Sequence, residues 1–201
     1  MRRLVLFGLA LALLAGLAGV VLWVSSGSGG VQAPGWYART VYPLRYESAI
    51  RASARHHHLD PALVAAVIYA ESRFDARARS SQGAAGLMQV LPETAAQIAR
   101  ETGGVAFVPA DLEDPRVNIR YGCYYLRAVL DLFGGDRVAA IAAYNAGAGV
   151  VGEWEAAARA EGHPLRAADI PYAETRAYVR SVLEARRIYR QTYGDRLRRA
   201  S

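Results

Sequence analysis

The longest apolar run of the chain extends from Leu4 to Val24 and follows Met1-Arg2-Arg3. A helix of about 20 apolar residues crosses a bilayer, whereas the apolar core of a cleaved signal peptide has about 7–15 residues. The run therefore predicts a transmembrane signal anchor over residues 4–24. By the positive-inside rule, residues 1–3 would be cytoplasmic and everything after Val24 would lie outside. Removal of the run as a cleaved signal, giving a secreted protein, is the alternative.

The rest of the chain has the periodicity of helices, and nothing in it alternates over a useful strand length. A linker over residues 25–43, rich in Gly and Ser at its start, precedes a domain over residues 44–195 and a tail over 196–201. Proline and aspartate signals predict the start of four helices, at Tyr42-Pro43, Asp60-Pro61, Pro92 and Asp114-Pro115. Two more helices are predicted over residues 138–145 and 174–193. Gly147 and Gly149 are read as breaks, followed by a mixed stretch to Pro171.

The helix from Ala62 to Ser72 is apolar on every face until Glu71, which is typical of a buried helix. Desolvation and the negative end of the helix dipole both raise the pKa of a carboxyl group in the last turn. Such a group stays protonated near neutral pH and acts as a general acid. The alternative is that Glu71 marks the point where the helix reaches solvent.

The composition is that of a folded domain, with 53% hydrophobic and 21% charged residues. All 24 basic residues are arginines, and the net charge is +6. The lack of lysine excludes a Walker A lysine, a Schiff base and a Ser-Lys dyad. A basic surface suits nucleic acid, anionic lipid or an anionic wall polymer, and the exported topology favours the last two. A solvated arginine-rich face is the simpler alternative.

Three further features invite chemical interpretations. The single cysteine, Cys123, has no internal disulfide partner and is expected in the core. The imidazoles of His56-His57-His58 point in different directions around a helix, so no metal site is predicted. Asp75, four residues after Glu71, could supply a second carboxylate, but it is expected to cap a turn.

Four blocks follow one another in a recognisable order: Glu71-Ser72-Arg73-Phe74, residues 80–89 (SSQGAAGLMQ), residues 143–147 (AYNAG) and residues 171–179 (PYAETRAYV). Together they resemble the catalytic domain of the soluble lytic transglycosylase family over roughly residues 44–193. The resemblance implies an all-α, lysozyme-like fold, like that of goose-type lysozymes. The resemblance also implies a set of residues that support the fold rather than take part in the chemistry: Asp114-Pro115, Asn118-Ile119, Gly122 and Tyr125-Leu126.

The resemblance implies that Glu71 protonates the β-1,4 glycosidic oxygen between N-acetylmuramic acid and N-acetylglucosamine. The same group would then accept the C6 hydroxyl proton, leaving a 1,6-anhydro sugar without metal or organic cofactor. The implied substrate-contacting residues lie in the last three blocks; they are Ser80, Met88, Gln89, Tyr144, Asn145, Glu174 and Tyr178. The expected partners are peptidoglycan glycan strands and, through the N-terminal helix, a membrane, with no nucleic acid.

Two other functions remain open. A hydrolase resembling goose-type lysozymes would have a Glu-Ser pair at the same position, and a non-catalytic wall-binding assembly factor would keep the groove without turnover. The Gly-Leu-Met-Gln and Ala-Tyr-Asn-Ala-Gly sequences favour the lyase over the hydrolase. The presence of Glu71, Ser80 and Tyr144 argues against the non-catalytic protein.

Overall fold

The computed structural model describes residues 35–103 and 107–199, so the predicted anchor over residues 4–24 lies outside the described residues. The described chain is helical, and its β contacts are the isolated bridges Arg79–Ala85 and Ala85–Val90. The prediction of an all-α domain is therefore confirmed. The α-helices are α1 (Gly35–Val41), α2 (Glu47–His56), α3 (Pro61–Ser72), α4 (Pro92–Glu101), α5 (Pro115–Leu132), α6 (Arg137–Ala146), α7 (Ala148–Ala160) and α8 (Ala173–Arg198). Within these ranges, no helix combines the length and apolar character that a membrane crossing requires.

Helix α3 forms the centre of the domain. Its N-cap is Asp60, whose Oδ1 accepts a hydrogen bond from the Ala62 amide at 3.0 Å, and Pro61 occupies the first helical position. Residues 64–68 are completely buried, and α3 packs most extensively against α8. The predicted buried helix is confirmed, and Glu71 lies at its carboxyl end.

Helix α2 begins at Glu47 rather than at Pro43, where the sequence predicts a helix start. Two tyrosines of α8 fix the preceding segment: the Tyr189 hydroxyl donates to the Pro43 carbonyl at 2.9 Å and the Tyr193 hydroxyl to the Tyr42 carbonyl at 3.0 Å. Tyr46, with a φ of 55°, is left-handed and separates this segment from the helix that begins at Glu47.

Helix α8 extends to Arg198, so the predicted tail over residues 196–201 is wrong for residues 196–198. Leu197 is only 3% exposed, Arg196 pairs with Glu47 of α2, and the Arg196 carbonyl accepts a hydrogen bond from Arg51. The last turn is therefore held by burial and by contacts with α2, both of which are non-local.

Two further helices differ from the predictions. Helix α1 lies inside the predicted linker, and Ala38 in it is buried. Helix α7 occupies the stretch read as mixed, with Gly149 inside its first turn rather than acting as a break. Gly147 is the true break, with a φ of 91°. Helix α7 holds because Val151 and Ala158 are buried along one helical face.

Candidate active site

The carboxyl group of Glu71 meets the hydroxyl of Tyr178 at the junction of α3 and α8. Tyr178 donates a hydrogen bond of 2.5 Å to Oε1 of Glu71, across 107 residues of sequence. The extensive packing of α3 on α8 brings the two residues together. Two residues from the first and last of the four sequence blocks therefore form one site.

Burial raises the pKa of Glu71 to about 7, and the hydrogen bond from Tyr178 acts in the opposite direction. Burial and the nearby Glu71 carboxyl also raise the pKa of the Tyr178 and Tyr144 hydroxyls well above their ordinary value. Both phenols therefore stay neutral hydrogen-bond donors near neutral pH. The predicted shift of Glu71 is confirmed in direction, and its main cause is desolvation.

The loop over residues 80–91 lies beside α3 and is closed by its own backbone. Ala85 and Val90 exchange hydrogen bonds of 3.0 and 3.1 Å, and Gln89 adopts a φ of 47°. The Gln89 side chain donates to the Gly86 carbonyl at 2.8 Å and to the Ala78 carbonyl at 3.1 Å. Ser80 is exposed, and its hydroxyl accepts from the Ala84 amide at 3.1 Å, which makes it a turn cap.

Buried polar side chains join this loop to the helices. The Ser72 hydroxyl contacts the Leu87 carbonyl at 2.8 Å and the Ile68 carbonyl at 3.1 Å. Asn118 of α5 accepts from the Met88 amide at 2.8 Å and donates to the carbonyls of Ala85 at 2.8 Å and Leu112 at 3.0 Å. The loop is thereby fixed relative to Glu71, the residue next to Ser72.

Tyr144, near the end of α6, closes the other side of the loop. Its hydroxyl donates to the Met88 carbonyl at 2.9 Å, and its ring packs on Tyr125 with 5.3 Å between centroids. The Tyr144 and Tyr125 rings form one wall of a cavity of about 270 Å³. The cavity is lined by Gln89, Val90, Leu91, Thr94, Tyr125, Tyr144, Asn145, Ala146 and Gly147.

The residues predicted for substrate contact thus fall into four groups. Tyr178 and Tyr144 lie at the carboxyl group, while Gln89 and Asn145 line the cavity. Ser80 and Glu174 are exposed, Glu174 in the first turn of α8. Met88 differs from the prediction that its side chain lines the groove, because it is completely buried. A Cβ atom on Gly122 would lie 2.5 Å from the Met88 sulfur, so Met88 fills the space above this glycine.

The remaining candidate residues have structural positions. Asp75 is exposed and its Oδ1 accepts from the Arg77 amide at 2.9 Å, which confirms the predicted turn cap. Cys123 is buried in the core, as predicted, and burial raises the pKa of its thiol. His57 packs edge-on against Tyr124 at 6.0 Å, and burial lowers its pKa.

Three residues support this site from behind. Asn118 and Tyr125, predicted as scaffold, hold the loop and the Tyr144 ring, and Ser72, to which the sequence analysis gives no role, also holds the loop. The available signal was polarity: Ser72 and Asn118 are polar residues at positions that helical periodicity buries. A buried polar side chain needs partners, and here the partners are loop backbone groups.

Known proteins of similar sequence include transglycosylases from bacteria and from a phage. The family model for the Transglycosylase SLT domain matches residues 48–165. The soluble lytic murein transglycosylase of Escherichia coli K12 is 34% identical over 158 residues, covering 77% of this chain and 24% of that protein. The putative soluble lytic murein transglycosylase of Haemophilus influenzae is 33% identical over 157 residues, covering 76% of this chain and 26% of that protein.

Solved structures show the same fold. The 70 kDa soluble lytic transglycosylase from Escherichia coli superposes with a TM-score of 0.72 at 32% identity, covering 80% of this chain and 26% of that one. An inactive glutamate-to-glutamine mutant of lytic transglycosylase Slt from Pseudomonas aeruginosa gives 0.69 at 36% identity, covering 76% and 25%. The chain spans about a quarter of the length of these relatives. Because the family model matches residues 48–165, the chain belongs to the Transglycosylase SLT domain family and has its lysozyme-like fold.

Proposed function

We propose that this protein is a peptidoglycan lytic transglycosylase. It would cleave the β-1,4 bond between N-acetylmuramic acid and N-acetylglucosamine and leave a 1,6-anhydro-N-acetylmuramic end. The observation that carries the proposal is the Glu71 carboxyl group, which is partly buried, has a pKa of about 7 and accepts a hydrogen bond from Tyr178. The relatives named soluble lytic murein transglycosylases support the same substrate.

In the first step Glu71 acts as the acid. At a pKa of about 7, a large fraction of the group is protonated at neutral pH. It donates this proton to the glycosidic oxygen as the bond from C1 to that oxygen breaks. The 2-acetamido group of the muramic residue stabilises the electron-poor C1 centre.

In the second step the Glu71 carboxylate acts as the base. It takes the proton of the C6 hydroxyl while the C6 oxygen forms its bond to C1, so water is not consumed and Glu71 is again protonated. The Tyr178 hydroxyl, 2.5 Å from Oε1, stabilises the carboxylate between the two steps. One carboxyl group therefore serves both proton transfers.

The surroundings of Glu71 favour this single-acid mechanism over ordinary hydrolysis. Glycosidases that use water or a covalent intermediate place two carboxyl groups at the bond. Among the described residues, the groups that shift the pKa of Glu71 include no carboxylate. Asp75, the nearest acidic residue in sequence, is exposed and holds a backbone turn.

The cavity beside Tyr144 is proposed as part of the glycan groove. Gln89, Tyr144 and Asn145 line it, and its tyrosine wall offers apolar ring surface to a sugar. Ser80 and Glu174 are proposed as further contacts because both are exposed and follow the resemblance. The contribution of Met88 to this site is its carbonyl group, which positions Tyr144.

We also propose that residues 4–24 anchor the enzyme in the cell membrane with the catalytic domain outside the cytoplasm. The support is the apolar run after Arg2 and Arg3. N-terminal sequencing of the protein from membrane and soluble fractions tests this, since a chain that begins after Val24 would indicate a cleaved signal.

The enzymatic proposal is tested by mass spectrometry of purified peptidoglycan digested with the wild-type protein, Glu71→Gln and Asp75→Asn. We expect 1,6-anhydro muropeptides from the wild type and from Asp75→Asn, and none from Glu71→Gln. Reducing ends in place of anhydro ends would identify a hydrolase. Release of nothing by the wild type, with retained binding to the polymer, would identify a wall-binding protein.

A further inference from the structure

A second groove lies between α2 and the first half of α5, and it contains none of the residues of the active site. It consists of two adjoining depressions of about 310 and 430 Å³, a size typical of ligand pockets. Ser48, Ala49 and Arg116 line both depressions, so they form one groove. Its other lining residues are Tyr46, Ala52, Ser53, Asp114, Pro115 and Arg120.

Arg116 and Arg120 give this groove its charge. They lie one helical turn apart on the same face of α5, and both are exposed. Among residues 35–103 and 107–199, neither guanidinium forms an ion pair. Most arginines in the described ion pairs instead face a carboxylate a few residues away, as Arg127 does with Asp131.

The acidic groups near the groove form no ion pair with Arg116 or Arg120. Asp114 lines one end, but its Oδ1 accepts from the amides of Arg116 and Val117 at 2.7 and 3.3 Å as the cap of α5. Glu113 pairs with Arg79 and Glu47 pairs with Arg196. Neither guanidinium therefore has an ion-pair partner among the described residues, although that of Arg120 lies 6.0 Å from the centre of the Tyr121 ring.

The groove and the active site lie on opposite faces of α5. Asn118, midway between Arg116 and Arg120, is buried and holds the loop beside Glu71. Residues two positions apart on a helix point in nearly opposite directions. A ligand in the groove would therefore leave the Glu71 site open to a glycan strand.

The lining of the groove indicates the ligand. A guanidinium group binds a carboxylate through two parallel hydrogen bonds, and the Ser48 hydroxyl is a further donor. Ala49 and Ala52 leave room for small apolar side chains such as methyl groups. The surface is recessed, which suits the end of a short peptide better than the surface of a bilayer.

We propose that this groove binds the free carboxylate of an alanine-containing peptide stem of peptidoglycan and holds the enzyme on a strand other than the one being cleaved. The inference rests on the proposed function, because that function supplies the polymer. It assigns to Arg116 and Arg120 a role in substrate retention that is separate from the chemistry at Glu71.

Co-sedimentation of the full-length chain with purified peptidoglycan sacculi tests the proposal. The Glu71→Gln background prevents cleavage, and the groove variant is Arg116→Gln/Arg120→Gln. The control, Arg137→Gln/Arg190→Gln, removes the same charge from exposed positions on α6 and α8. We expect the groove variant to bind about tenfold more weakly and the control to bind like the parent, because charge-assisted hydrogen bonds are lost only in the groove variant.

The same variants are then compared on glycan whose stems have been removed by an amidase, which hydrolyses the lactyl amide bond and leaves a free lactyl carboxylate on the glycan. There the groove variant should bind as well as the parent. Equal weakening by the groove and control pairs, or weakening that persists on stem-free glycan, would overturn the proposal. Binding of the same variants to phosphatidylglycerol vesicles is measured as well. If the groove variant bound more weakly only to the vesicles, the groove would be assigned to lipid and the proposal would be overturned. Single Arg116→Gln and Arg120→Gln variants, with matched thermal midpoints, guard against misfolding.

Binding in the Glu71→Gln background does not depend on turnover. Absence of anhydro products from the wild type would therefore reject the proposed function without deciding the groove measurement. Normal products together with unchanged binding by the groove variant would reject the groove alone.

Discussion

The hydroxyl of Tyr178 lies 2.5 Å from Oε1 of Glu71 and donates its hydrogen to the carboxyl group. This contact opposes the effect of burial, which raises the pKa of Glu71 to about 7. The two influences together leave the group able both to give and to accept a proton near neutral pH. In the proposed mechanism Tyr178 would therefore position the Glu71 carboxyl group and keep its pKa below the value that burial alone would give.

Replacing Tyr178 with phenylalanine should move the pH profile of the reaction. The lost hydrogen bond favours the ionised form of Glu71, so its removal raises the pKa of Glu71 further. We expect the alkaline limb for release of anhydro muropeptides, which reports loss of the acid form, to shift to higher pH. The maximum rate should fall because the carboxylate intermediate loses a partner.

Tyr124→Phe is the matched control for this measurement. Tyr124 donates a hydrogen bond of 2.9 Å to Glu101, an exposed pair away from the site. Its profile should coincide with that of the wild type. An unshifted alkaline limb in Tyr178→Phe, or a limb shifted to lower pH, would contradict the assigned role of the hydrogen bond.

Local signals in the sequence predict the part of the site that belongs to α3. Asp60-Pro61 starts the helix, its apolar faces bury it, and Glu71 follows as an isolated carboxyl group at its end. The partner of Glu71 is 107 residues away, and it is predicted as a site residue only through the family resemblance. Helical periodicity cannot pair residues on different helices.

Met88 and α7 show where local reasoning fails. The direction of the Met88 side chain depends on the space above Gly122 on another helix, which the sequence of the loop does not reveal. In α7 the glycines suggest an irregular stretch, but Gly149 and Gly152 are helical because the burial of Val151 outweighs their weak propensity. In both cases tertiary packing decides the outcome.

Adding a methyl group at Gly122 should displace Met88 and so disturb the loop over residues 80–91. Its Cβ atom would lie 2.5 Å from the Met88 sulfur and 2.6 Å from the Met88 Cβ, so the methionine must move. We expect Gly122→Ala to lower the free energy of unfolding by about 1–3 kcal/mol, the usual effect of overpacking. Activity should fall as well, because the Met88 carbonyl positions Tyr144.

Gly152→Ala provides the comparison in urea unfolding. Gly152 is also helical, but a Cβ atom there meets nothing within 4 Å. The variant should gain about 0.5–1 kcal/mol from the better helix propensity of alanine. Equal effects of the two substitutions would mean that Met88 does not depend on the glycine.

The hydrogen bonds of Asn118 should contribute strongly to stability. Asn118→Leu would leave the Met88 amide and the carbonyls of Ala85 and Leu112 without their side-chain partner. The Ala85 carbonyl keeps its hydrogen bond from the Val90 amide, so two buried groups lose their partner. Each such group costs about 1–3 kcal/mol, so a loss of at least about 2 kcal/mol is expected in urea unfolding. The same substitution at the exposed Asn145 should change stability by less than about 0.5 kcal/mol. A loss at Asn118 no larger than that at Asn145 would show that the loop does not rely on this side chain.

The raised pKa of Glu71 should also make the stability of the protein depend on pH. The folded state binds its proton up to about pH 7, while the unfolded state releases it near the ordinary value of 4.5. The folded state therefore holds the extra proton between these values, and stability from this group falls as the pH rises through 7. In Glu71→Gln this dependence is absent. The stability of the variant relative to the wild type should therefore increase as the pH rises from 5 to 8, by up to about 3 kcal/mol.

Glu153→Gln, at an exposed position on α7, should show no such trend in urea unfolding at the same pH values. A constant difference between Glu71→Gln and the wild type would mean that Glu71 is ionised throughout the range, and the acid step would then need another proton donor.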